Sequence, residues 1–152
     1  HERAGQIVRE GVIDLDTVMP GLSLYDFGDM VRTACNEAAE DERDLGRVRF
    51  LMPMFEAVAR GYLESAFPFL APAELEQLTF SGRLITYEIG VRFLTDYLAG
   101  DRYFRVHRDG QNLDRCRVQF ELVRQMEERE RDMNEIIKTI VSEKGRRHEY
   151  DN

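Results

Sequence analysis

The chain has 152 residues, 43% of them hydrophobic and 33% charged, with a formal net charge of −8 and a pI near 5.0. That length supports one sizeable core, and the acidic balance excludes long-range attraction to nucleic acid phosphates or anionic lipid. The sequence shows neither a run of about 18 apolar residues nor a charged-then-apolar leader, so a soluble cytoplasmic protein with no nucleic acid or membrane partner is expected.

"ERAGQIVREGVIDLD" opens with a turn at Ala4-Gly5 and continues as a strand from Gln6 to Leu15, with Ile7, Val8, Val12, Ile13 and Leu15 as its apolar positions. This strand has no earlier strand to pair with, and the chain starts at His1, so a piece of a longer fold is expected. The exposed strand edge predicts disorder, displacement or strand-mediated self-association. Pro20-Gly21 is a turn pair, and Asp26 or Ser23 is placed to cap a helix through Met30, Val31 and Ala34 to about Asn36. "NEAAEDERDLG" is a polar, acidic break.

The rest reads as helix. Pro53 sits where a first turn tolerates it, followed at helical spacing by Phe55, Val58, Ala59 and Tyr62. Pro72 starts another helix, with a loosening expected near Ser81-Gly82, a stripe of Leu84, Tyr87, Val91, Leu94 and Leu98, and an end at Gly100. "NLDRCRVQFELVRQMEERERDMNEIIKTIV" places Leu113, Cys116, Phe120, Val123, Met133, Ile137 and Ile140 on one face of a helix of about eight turns, with "EERERD" solvated. The expected organisation is mainly α with an N-terminal β-strand or small hairpin: strand and metal loop over 1–22, a helical region over 23–142, and a flexible tail over 143–152.

Magnesium takes hard oxygen ligands, commonly one or two carboxylates plus substrate phosphates. Asp14 and Asp16 end an apolar strand two residues apart, so both side chains project from the same side of the pleat. "YDFGD" contains the Asp-Phe-Gly triplet that holds magnesium in protein kinases, yet Asp26 lies between a turn and a helix, where an Asp caps or braces. Local chemistry leaves both carboxylate sites open, because strands often end in Asp.

"GVIDLDTVMPGLSLYDFGDMVRTAC", taken as a unit, resembles the segment after the catalytic loop in the aminoglycoside phosphotransferase and choline kinase superfamily. Within it, "RFLTDYLAGDRYF" and "NLDRCRVQF" are similar to bacterial N-acetylhexosamine 1-kinases, and the likeness covers nearly the whole chain. The resemblance implies the helical C-terminal lobe of a kinase-like fold. It assigns Asp14 to magnesium, Asp16 as a second carboxylate near the metal, Asp26 as the structural brace of the catalytic loop, and Arg92 and Tyr103 to the sugar. It further implies ATP and magnesium as cofactors and phosphorylation of the anomeric hydroxyl of an N-acetylhexosamine, with aminoglycoside, choline or homoserine as alternative acceptors. The superfamily's general base Asp and its nucleotide-binding lobe lie upstream of the matched strand, so the chain by itself is expected to be inactive.

Local readings compete with these roles. Glu88 and Asp96 lie one helical turn either side of Arg92, a spacing for intrahelical ion pairs, and Tyr103 beside Phe104 also suits core packing. His107 has no partner at a telling spacing and reads as a surface loop histidine. Cys35 and Cys116 lack C-x-x-C or C-x-P-x-R contexts, which argues for free thiols and against sulfatase chemistry. A non-catalytic helical interaction module is the reading from a different class, although the heptad pattern is irregular.

Overall fold

A computed structural model describes residues 18–150. The expected strand over 6–15, and Asp14 and Asp16 with it, lie outside the described residues. Five helices make up the described chain: α1 (Ser23–Ala34), α2 (Met52–Ala66), α3 (Pro72–Leu98), α4 (Gln111–Glu128) and α5 (Glu130–Tyr150). The mainly α class is therefore observed, and one isolated antiparallel bridge, Asn36 to Phe50, is the β pairing among the described residues. None of the described helices is long and apolar enough to cross a membrane.

Several boundaries of α2 and α3 have a local cause. Pro53 and Pro72 occupy first-turn positions, where the missing N–H costs nothing. The Glu74 carboxylate reaches back to accept the Ala71 N–H at 2.8 Å, satisfying a donor at the start of α3. At the far end of α3, Gly100 (φ 87°) takes the left-handed conformation, with Gly100 N–H donating to the Tyr97 carbonyl at 3.1 Å and Asp101 N–H to the Asp96 carbonyl at 2.8 Å. That pair of bonds is the Schellman closure of a helix.

Phe27, Val31, Phe55, Leu63, Leu78, Leu122, Met126, Met133 and Ile140 form the centre of one core shared by all five helices. Phe27 packs edge-on to Phe55 at 6.2 Å between ring centres and against Tyr62 at 5.2 Å. Its neighbour Gly28 lets α1 lie against α3: a Cβ there would stand 2.6 Å from Ile85 Cγ1 and 2.7 Å from the Ser81 carbonyl oxygen. Gly82 makes the matching gap for Val31. The expected loosening at Ser81-Gly82 is thus absent; α3 runs unbroken through it, and small residues there serve helix contact.

Two further elements differ from expectation. The single long C-terminal helix is divided at Arg129 (φ −109°, ψ 9°), where α4 ends and α5 begins. A straight rod would leave the core, whereas the break lets α4 pack along α3 and α5 turn back on α2, burying Met126 and Met133 on either side. Helix α5 then continues through residue 150 where a flexible tail from 143 was expected, and Lys144 on it pairs with Glu64 of α2. The charged run at the break is solvent-facing, as its composition implies.

The acidic connection after α1 is held by a side chain from elsewhere. Gln125 of α4 accepts the Phe50 N–H at 2.8 Å and donates to the Val48 carbonyl at 2.8 Å, so its buried amide stands in for a neighbouring strand. Both cysteines are buried and unpaired with each other. Burial pushes the Cys35 thiol up to about 12, and raises that of Cys116 against the opposing charge of Arg117. The thiolate is the reactive form, so both thiols of the native protein are expected to react with a chromogenic disulfide reagent at least about a hundredfold more slowly than in the unfolded chain. Rapid native labelling of Cys35 would contradict the packing described.

Candidate functional site

Helix α3 ends beside the connection of residues 99–110, and together they form a groove of about 460 Å³ lined by Arg92, Thr95, Asp96, Ala99, Arg102, Tyr103 and Phe104. The two sugar residues implied by resemblance are thus brought together. The Arg92 guanidinium carbon lies 5.7 Å from the centre of the Tyr103 ring and 5.6 Å from that of Phe104. Neither Glu88 nor Asp96 forms an ion pair with Arg92, so the spacing that suggested intrahelical pairing is not used. Phe104 provides the floor, 4.7 Å from Phe93 and edge-on to Tyr103 at 4.8 Å. Tyr103 itself is 74% exposed. It is a ring held out to solvent rather than a core residue, which sets aside the packing alternative.

Asp96, the expected ion-pair partner, does something else. Its side chain turns into the 99–110 connection, where Oδ1 accepts the N–H groups of Arg102 at 2.9 Å and Tyr103 at 2.8 Å, and Oδ2 accepts that of Phe104 at 2.9 Å. A fourth bond to Oδ2 comes from Asn112 Nδ2 of α4, also at 2.9 Å. Burial pushes the Asp96 carboxyl up, but the N–H groups of Phe104, Tyr103 and Arg102 and the Asn112 amide outweigh it and hold the group below its ordinary value. With the folded-state value depressed, the bonds stabilise the fold at neutral pH, and that contribution is lost as the pH falls through the lowered value.

The other end of the connection is tied down too. Gln111 accepts the His107 N–H at 2.7 Å and donates to Asp41 at 2.9 Å, while Arg108 donates to Asp114 at 2.6 Å and reaches Asp41 at 3.3 Å. His107 is exposed, as a surface loop histidine should be. Arg115 backs the groove from α4, with its guanidinium 5.4 Å from the Phe93 ring centre, one NH group donating to Asn112 Oδ1 at 2.9 Å, and Nε 3.3 Å from Glu40.

Asp26 is not among these lining residues. It lies exposed in the first turn of α1, whose N-cap is Leu22 with no side-chain cap, so it does not cap its helix. Its charge is one of those that raise the Tyr62 hydroxyl, after burial. Among the described residues no three His, Cys, Asp or Glu side chains cluster closely enough to hold a metal ion. No protein-family model matches the chain.

Proposed function

We propose that the chain is the helical, acceptor-binding lobe of an ATP-dependent small-molecule kinase, with an N-acetylhexosamine as the acceptor. The observation that carries the reading is the pairing of Arg92 with an exposed Tyr103 ring in an open groove, at the two positions where the sequence resemblance implies sugar contacts. A sugar offers apolar C–H faces and a ring of hydroxyls. An exposed phenol ring suits the first, and a guanidinium fork with no carboxylate partner suits hydroxyl and acetamide oxygens. Magnesium and ATP enter this reading through Asp14 and Asp16, both outside the described residues, and Asp26 through its place as brace.

A second reading is favoured by one specific feature. Phe80, Leu84, Tyr87 and Val91 form an exposed apolar stripe along α3. Such a face suits a helical interaction module. The discriminating experiment is a coupled ATP-consumption assay of the full-length protein over N-acetylhexosamines, aminoglycosides, choline and homoserine. ATP use that depends on N-acetylhexosamine is expected, together with its loss, by about a thousandfold or more, in Asp14→Asn with the fold retained. Near-normal turnover of Asp14→Asn sinks the metal role of that residue, and a protein that consumes no ATP with any of the acceptors favours the interaction module.

A further inference from the structure

We infer that Asp96 is the positioning residue of the groove: its carboxylate, more than ring packing, sets where Tyr103 stands relative to Arg92. The inference rests on reading the groove as the acceptor site, and asks what holds that site in shape. Tyr103 cannot hold itself, because a ring exposed to this degree has few neighbours beyond the edge of Phe104 and the Arg92 guanidinium. Its backbone is held instead. Three successive N–H groups, from Arg102, Tyr103 and Phe104, converge on the two oxygens of one carboxylate, and Asp96 is only 6% exposed. That carboxylate belongs to the last turn of α3, the same helix that carries Arg92 one turn earlier. A single rigid element therefore supports both sides of the groove, one directly and one through Asp96.

The carboxylate is itself fixed. Asn112, fully buried on α4, donates to both Asp96 Oδ2 and Asp101 Oδ1 at 2.9 Å, and its own oxygen accepts from Arg115. Asp101 has φ 54°, a left-handed conformation that Asp tolerates better than most residues, and its bond to Asn112 secures the turn that reverses the chain toward Tyr103. Each Asp96 oxygen accepts two donors. In Asp96→Asn one of the two oxygens becomes an NH₂ donor, so whichever way the amide lies, two of the four bonds are lost and donors face donors.

The test combines amide hydrogen exchange with steady-state kinetics on the full-length protein, varying an N-acetylhexosamine and ATP separately. In Asp96→Asn the amides of Arg102, Tyr103 and Phe104 are expected to exchange at least about tenfold faster while those in the middle of α3 keep their protection. The acceptor KM should rise by about tenfold or more with the ATP KM unchanged, since a displaced ring weakens acceptor contacts alone. Asn112→Ala, which removes one donor to Asp96 together with the bonds to Asp101 and Arg115, should move both readouts in the same direction. Ile140→Ala, in the core on α5, serves as the general destabilisation control and should lower Tm with both KM values unchanged. Unchanged exchange at residues 102–104 in Asp96→Asn overturns the inference, and so does faster exchange with an unchanged acceptor KM. Wild-type protein that consumes no ATP with any acceptor of the panel would instead sink the kinase reading, and the exchange result alone would then decide whether Asp96 holds this segment.

Discussion

Gly28→Ala is expected to destabilise the protein by about 1–3 kcal/mol, although Ala is the better helix former by about 1 kcal/mol. The sign follows from what the new methyl group meets. One neighbour, Ile85 Cγ1 at 2.6 Å, is a side-chain atom with some freedom; the other, the Ser81 carbonyl oxygen at 2.7 Å, is backbone inside α3 and has none. Relief requires α1 and α3 to move apart, which opens space around Phe27 and Val31, both fully buried. Gly61→Ala is the matched contrast. Gly61 is also mid-helix, on α2, with nothing within 4 Å of where its Cβ would be. There the propensity term acts alone, and a gain of about 0.5–1 kcal/mol is expected. Urea unfolding followed by circular dichroism gives both midpoints, and shifts of the same sign would show that the close approach of α1 to α3 is not the controlling feature.

The same glycine explains what the Asp-Phe-Gly triplet is in the described structure. Phe27 and Gly28 are a core ring and a helix-crossing gap, and Asp26 is an exposed first-turn carboxylate. Helix starts were legible because Pro53 and Pro72 act through local backbone chemistry, and the end of α3 was legible because Gly100 supplies a positive φ. The buried face of α3 was not. Hydrophobicity picks out the stripe through Leu84, Tyr87, Val91, Leu94 and Leu98, which is exposed apart from the half-buried Leu94, whereas the packed face interleaves Leu78, Ile85 and Phe93 with Ser81, Gly82, Thr86 and Gly90. Small residues are buried there because neighbouring elements come close: a Cβ on Gly90 would meet the Phe120 ring at 2.7 Å. Smallness carries no hydrophobic signal. The break at Arg129 was equally hidden, since no Gly or Pro marks it and its cause is the packing of α4 and α5 on different partners. At the groove, the resemblance pointed to Arg92 and Tyr103, which the fold brings together, but the role of Asp96 was hidden because helical spacing describes neighbours on one helix and not a side chain that turns to a distant backbone.

Under the proposed acceptor-binding function, Arg92→Ala and Tyr103→Ala are each expected to raise the acceptor KM by at least about tenfold while leaving stability within about 1 kcal/mol of wild type. The two halves of that expectation separate function from architecture. If Arg92 were present to hold the fold, the described geometry gives it only stacking over two rings, worth about 0.5–1 kcal/mol at an exposed site, with no ion pair to lose. If it recognises a polyhydroxylated acceptor, the loss appears in KM, where an unpaired polar group of the ligand is costly. Arg92→Lys sharpens the distinction, because an ammonium keeps the charge and the ring contact but not the planar fork, and is expected to recover little of the KM. Tyr103→Phe keeps the ring and removes the hydroxyl, so an intermediate KM assigns the remainder to stacking against the sugar face. Since Arg92 and Tyr103 face each other, the double alanine variant should cost less than the sum of the singles. Strict additivity in KM, or a stability loss with KM unchanged, would return the pair to a structural role and the groove to an unassigned surface.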